Sequence, residues 1–464
     1  MKFCSFILTI LLAGPVASGG DLHLGRAAVR ITPPSGMPMS GYYYTRLSEG
    51  VHDDLYAKAL VLDRDGVRVA MVSCDLISIG RPSVEEARRL IEKNTGIPAT
   101  HVMISATHTH TGPVLVDRTS RDLTMGRDRP ITKEYLDELP GKIAESVRLA
   151  ASDLQTVKVS AGTGHETSLS FNRRYLMKDG GVRFNPGRMN PDIVRPVGPI
   201  DPDVSVLYFE SPRSAALATY VNFPMHLDTT GGLQISADYP FTLSQVLGRV
   251  KGTDMLTVFT TGAAGNVNHI DVKNSEQLKG FAEAGRIGTA LAGEVLKTYT
   301  RLGPVSPGPL QVRQEILKLP LPQIKEDDLQ KARELAARFE TPNNPAFMEL
   351  VFAFKTLDVA ERQGRPLEAE VQVITLGDQI AWVGLPGEIF VELGLDIKKV
   401  SPFAYTTIVE LANGSVGYVP NQKAYPEGSY EVISARCGSG SGELMVQAAI
   451  RMLGEMYRNA SGKK

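Results

Sequence analysis

Runs of aliphatic and β-branched residues recur along the chain and alternate with segments of helical period. Ala27–Ile31, Tyr56–Leu62, Val67–Cys74, His101–Ser105, Val157–Ser160, Val204–Phe209, Ala215–Asn222, Leu256–Thr260, Glu370–Leu376 and Ile380–Leu385 read as strands. Helices are predicted across Ile143–Ser152, Thr242–Arg249, Leu278–Thr298, Asp328–Phe339 and Leu444–Tyr457. Ser83 with Glu86 has the spacing of a capping box, opening a helix that runs to about Asn94 and stops at Gly96 and Pro98. Because strands and helices are intermixed throughout, the pattern predicts an α/β (mixed α+β) body, its mixed sheets flanked by helices. Two stretches break the pattern. Pro304–Pro309 (PVSPGP) is the best linker, and the charged run from Lys325 to Arg365 reads as a solvated insertion with amphipathic faces.

The N-terminus has a different character. Lys2, an apolar run from Phe3 to Leu12 and the small residues Ala17 and Ser18 form a signal-peptide pattern over residues 1–19, with cleavage near Ser18 or Gly19. The run is too short to cross a bilayer, which takes about 20 residues, so export to a periplasm or out of the cell is expected rather than membrane integration. Cys4 stands at the start of the apolar run instead of at its end, which disfavours a lipid anchor. Cys74 and Cys437 are the cysteines left in the mature chain, and their pairing is open. The 464 residues can bury a large core, in one large domain or two intimately packed ones. A formal net charge of -1 gives no footprint for nucleic acid, so none is expected as a partner.

Candidate chemistry gathers where predicted strands end. Ser105–Pro113 reads SATHTHTGP, and in an extended chain residues i and i+2 share a side, so His108 and His110 would face one pocket. Two histidines hydrogen-bonded in a turn would look the same. His226 closes the apolar run of Val221–His226, and Glu388 follows the strand Ile380–Val383. Catalytic zinc takes about three nitrogen or oxygen ligands from protein and keeps one position open, a need these residue types meet. Each alone is equally at home elsewhere, His226 as a core histidine and Glu388 as a helix N-terminal carboxylate.

The ordered series THTHTGP (107–113), NFPMH (222–226), SADY (236–239), GAAGNVN (262–268), PGE (386–388), NGSVGYV (413–419) and EGSYE (427–431) is similar to the neutral/alkaline non-lysosomal ceramidase family, from about residue 22 to 450. The resemblance implies a catalytic domain over 20–464 and one zinc per chain at strand ends, held by His108, His226, Glu388 and Tyr418. It further implies His110 as oxyanion donor. Arg173, Glu431 and Asn268 would lie at the substrate, with Tyr430 or His269 as the acid for the leaving amine. Asp238 would orient a ligand histidine. The implied reaction is hydrolysis of the N-acyl amide of ceramide or a related lipid by zinc-activated water, with peripheral contact to a membrane surface.

Three departures bear on substrate. Asn268 replaces the family's serine, which excludes a seryl nucleophile and leaves zinc-activated water. Val114-Leu115-Val116-Asp117 replaces a glycine-rich continuation, and the chain is expected to lack the family's C-terminal β-sandwich domain. The alternatives are a zinc amidase or esterase acting on another N-acyl or O-acyl compound, and an exported binding protein that retains the fold without turnover. Oligomeric state is not legible.

Overall fold

The computed structural model describes residues 20–115 and 122–461. The signal-peptide segment and Val116-Asp117 of the altered loop lie outside the described residues.

Three sheets carry the fold. The first runs in the order Val102–Ala106, Val67–Cys74, Tyr56–Arg64, His23–Arg30 and Gln155–Thr156. The second runs Leu256–Thr261, Ala216–Phe223, Asp203–Glu210, Lys158–His165 and Gly303–Pro304, and the third Leu310–Leu319, Leu367–Leu376, Ile380–Leu385 and Tyr405–Glu410. Each is antiparallel except for one edge pair, where Val67–Cys74 with Val102–Ala106, Ala216–Phe223 with Leu256–Thr261, and Ile380–Leu385 with Tyr405–Glu410 run parallel.

Each sheet packs one face on helices: Arg81–Thr95 and Pro130–Ser152 on the first, Tyr239–Lys251 and Gly280–Tyr299 on the second, Val391–Val400 and Ser441–Ser461 on the third. The opposite faces meet in a shared core that includes Leu60, Met103, Leu207, Tyr220, Trp382 and Val409. Polar bonds tie the parallel edges together: Ala106 N–H donates to the Leu411 carbonyl, Asn413 N–H to that of Ile104, and Asn222 Nδ2 to that of Ile408.

Most predicted strands appear with boundaries shifted by a few residues, and two elements differ for physical reasons. Ser83 makes no cap: Gly80 occupies the N-cap of the helix Arg81–Thr95, with Pro82 in its first turn, where a missing N–H costs nothing. The helix expected from Ile143 begins at Pro130 and passes through Pro140, a buried residue whose packing offsets the lost backbone bond. The linker at 304–309 does not divide two cores, because Gly303–Pro304 pairs with Lys158–His165 and Val305 enters the shared core. The charged run holds two helices, Glu326–Ala336 and Phe347–Glu361, and the second buries Leu350, Val351 and Phe354. Cys74 and Cys437 are both buried and free.

Trp382 sits at the centre of the shared core with no exposure. Trp382→Ala is expected to lower stability by about 3–5 kcal/mol while urea unfolding stays a single transition. Two separate transitions would contradict a core common to the three sheets.

Candidate metal centre

The parallel edge pairs aim at one place. His108 and His110 follow Val102–Ala106, His226 follows Ala216–Phe223, and Glu388 follows Ile380–Leu385, each at a strand's carboxyl end. Glu388 starts a short strand, Glu388–Ile389, whose register with Tyr418–Val419 sets Glu388 beside Tyr418. The chain is not extended at the His pair as expected: His108 has φ +81, a conformation that costs a residue with a Cβ about 1–3 kcal/mol. The left-handed kink still brings the two imidazoles together, their ring centroids 4.8 Å apart and nearly perpendicular.

Backbone carbonyls fix the tautomers. His108 Nδ1 lies 2.8 Å from the Ile77 carbonyl oxygen and His226 Nδ1 2.8 Å from that of Ala264. Since a carbonyl only accepts, both Nδ1 atoms carry a proton, and in the neutral ring each Nε2 presents a lone pair. Glu388 Oε2 lies 3.4 Å from His108 Nε2 and 3.3 Å from His226 Nε2, and the Tyr418 hydroxyl lies 3.4 Å from His226 Nε2. Ligands about 2.0–2.1 Å from a zinc ion at the centre of a tetrahedron are separated by about 3.3–3.4 Å. These three separations among the four residues therefore match edges of such a polyhedron. His110 Nε2 stands at the same spacing, 3.3 Å from His108 Nε2, and the three histidines offer nitrogens within 4.8 Å of one another. His110, expected as an oxyanion donor, thus stands within the ring of donors. Glu388 Oε2 is buried and takes no hydrogen bond, the orphan that a cation would satisfy.

Charge points the same way. Burial alone raises the Glu388 carboxyl, but His108 and His226 beside it hold it well below the usual range. Burial, then Arg173 and His108, push His226 down to about 4, and burial with His108 keeps His110 well below its ordinary value. Burial lowers His108 too, but Glu388, with Glu410 and the Ile77 carbonyl, outweighs it and draws a proton there, which marks a spot where positive charge is stabilised.

Neighbouring side chains hold this cluster. Arg173 is buried; its Nη2 donates to the Tyr418 hydroxyl (3.0 Å) and the Gly265 carbonyl (2.7 Å), and its Nε to Glu431, which also accepts from Arg174. Arg173 and Glu431, expected at the substrate, are thus occupied in fixing Tyr418. Asp238 bonds no ligand histidine, because its oxygens accept from the backbone of Thr229, Thr230 and Tyr239 and so cap a helix. Asn268 is fully buried, and its Oδ1 accepts from Ile270 N–H. His269 pairs through Nδ1 with Asp228 at 3.1 Å. Of the two acid candidates, Tyr430 lines the cavity of about 300 Å³ that opens on His108, His110, Glu388 and Tyr418, and His269 does not.

Sequence reasoning missed Asp228, although its position two residues after His226 was a signal. It also missed Gly41: a Cβ there would sit 2.7–2.9 Å from His110, so this glycine lets the loop press on the imidazole. Nothing local in the sequence marks Ile77 and Ala264, whose carbonyls set the tautomers.

His108→Ala and Glu388→Gln are each expected to abolish stoichiometric zinc binding while the chain stays folded, as read by metal analysis and circular dichroism. Zinc affinity should rise with pH through the neutral range, because the proton that Glu388 draws onto His108 must leave before metal binds. A pH-independent affinity would contradict this arrangement.

Among known proteins, no family model matches the chain. A segment of 117 residues is 32% identical to neutral ceramidase of Drosophila melanogaster, a match spanning 24% of this chain and 16% of that protein. In structure, neutral ceramidase from Pseudomonas aeruginosa superposes with a TM-score of 0.75 at 20% identity, over 95% of this chain and 75% of the other. A ceramidase complexed with C2 gives 0.74 at 19% identity, over 95% and 76%. Across nearly its whole length the chain therefore has the neutral ceramidase fold, that of the family its motifs resemble.

Proposed function

We propose that the chain is an exported, zinc-dependent amidohydrolase that cleaves the N-acyl amide bond of ceramide or a related lipid. The observation that carries this reading is the meeting of His108, His226, Glu388 and Tyr418, with three of their separations at the edge length of a zinc polyhedron and the Glu388 oxygen among them left without a hydrogen bond. Zinc in a site of this kind supplies a Lewis acid that lowers the pKa of water to about 7 and polarises a carbonyl.

The chain's own groups do the rest. His108 and His226 stay oriented through Nδ1, and Arg173 steadies the Tyr418 hydroxyl against rotation. His110, neutral and half-buried beside His108, is placed to steady negative charge on the amide oxygen as the carbonyl becomes tetrahedral. Tyr430 packs between Phe184, Phe347 and Tyr418 at the cavity wall, and burial pushes its hydroxyl above the ordinary value, so it holds its proton at neutral pH and can present it to the leaving nitrogen. The relative complexed with C2 supports an N-acyl lipid as substrate. Residues 1–19 support export.

One observation favours a second reading, in which the hydrolysis is kept but the substrate is a more polar N-acyl compound. The outer wall of the cavity carries Asp358, Glu361, Arg362, Arg365 and Arg436, whereas Ile77, Leu367 and Val416 are the aliphatic side chains along it. Alkyl chains gain about 0.8 kcal/mol per buried CH₂ only where apolar surface receives them.

Purified mature chain incubated with labelled N-acylsphingosine and, separately, with an N-acyl amino acid, with and without chelator, tests both readings. Release of fatty acid from the first that chelator abolishes is expected. Cleavage of the polar amide alone would move the substrate, and bound zinc with neither amide cleaved would favour a binding protein.

A further inference from the structure

In two of the three parallel edge pairs, one strand leads to a ligand histidine and its neighbour leads to the backbone carbonyl that orients it. Val102–Ala106 leads to His108 and Val67–Cys74 to Ile77; Ala216–Phe223 leads to His226 and Leu256–Thr261 to Ala264. In the third pair, Ile380–Leu385 leads to Glu388, and its neighbour Tyr405–Glu410 ends on Glu410. Glu410 is fully buried, and one oxygen, Oε2, accepts from two backbone donors: Ile389 N–H at 3.0 Å and Ala264 N–H at 3.1 Å. Ile389 directly follows the ligand Glu388. Ala264 is the residue whose carbonyl holds His226.

The two segments so joined also touch without side chains between them. Gly265 N–H donates to the Ile389 carbonyl at 2.7 Å, and a Cβ on Gly265 would come within 2.4 Å of the Glu388 carbonyl oxygen. No side chain fits in that contact, so the spacing of the segments is set by backbone bonds, by Asn266 Oδ1, which accepts from Val391 N–H at 2.8 Å, and by the Glu410 oxygen that bridges them.

We infer that Glu410 is a positioning residue for the metal centre, fixing the distance between His226 and Glu388 by holding the backbone behind each of them. The inference rests on the reading of these residues as zinc ligands. Glu410 itself touches neither substrate nor metal in this account. Its role is that of an acceptor shared by two donors, which a glutamine carbonyl at the same position reproduces and a leucine does not.

Zinc affinity of the full mature chain, read by competition with a chromophoric chelator, tests this with E410Q, E410D and E410L, alongside urea unfolding of the chelator-stripped proteins. E410Q is expected to bind zinc close to wild type. E410L is expected to bind about 10- to 100-fold more weakly, the usual effect of losing a group that orients a ligand. E410D, one methylene too short to span both donors, should also weaken binding, and it decides the matter if E410L does not fold. A purely packing role would lower the stability of the stripped protein and leave the affinity of the folded fraction unchanged. Wild-type affinity in E410L or E410D would overturn the inference while leaving the metal site intact, and E410Q as weak as E410L would overturn the shared-acceptor account. A wild-type chain that binds no zinc would instead sink the reading of the site on which the inference rests.

Discussion

Glu388 has one buried carboxylate oxygen that takes no hydrogen bond and lies 3.3–3.4 Å from two imidazole nitrogens, an arrangement that costs too much to persist unless positive charge sits among these atoms. Much of the surrounding structure answers to that requirement. Carbonyls of Ile77 and Ala264 turn the imidazoles so that both Nε2 atoms converge on the carboxylate. Arg173 is itself neutralised by Glu431, so it can hold Tyr418 without leaving an unpaired charge in the interior.

The scaffold makes this convergence cheap. Three mostly antiparallel sheets each keep one parallel edge pair, and the carboxyl ends of these pairs are the ends that meet. In a parallel pair both strands arrive together, so the loop that brings a ligand has a second loop beside it to steady it. Helices cover the outer face of each sheet, and the inner faces fuse into one core, which leaves the ligand loops little freedom to drift. The strained φ of His108 is held by this surrounding, including the Leu76 carbonyl that accepts its N–H at 2.8 Å.

The sequence carried much of this and hid the rest for definable reasons. Ile380–Leu385 is a continuous apolar run buried on both faces, Val67–Cys74 is apolar apart from Arg68 and Ser73 and buried from Val69 onward, and both read as strands with their true boundaries. Leu310–Leu319 escaped because it is an edge strand whose exposed side alternates charge with apolar residues. Phe347–Glu361 was masked by the charged segments around it, although Phe347 packs on Tyr43 and Tyr430 beside the site. The donor residues were legible through the order of their motifs. The partners that orient them were not, because main-chain carbonyls carry no residue signature, and Glu410 looks like any strand-end carboxylate until its two donors, far apart in sequence, are seen together.

The central claim is that these side chains form one nitrogen and oxygen zinc site. Zinc-edge X-ray absorption on the metal-loaded chain measures that environment directly. A first shell of nitrogen and oxygen atoms at about 2.0–2.1 Å, with the outer scattering of coordinated imidazole, is the predicted result. Sulfur at about 2.3 Å, or a shell of water alone without imidazole scattering, would contradict it.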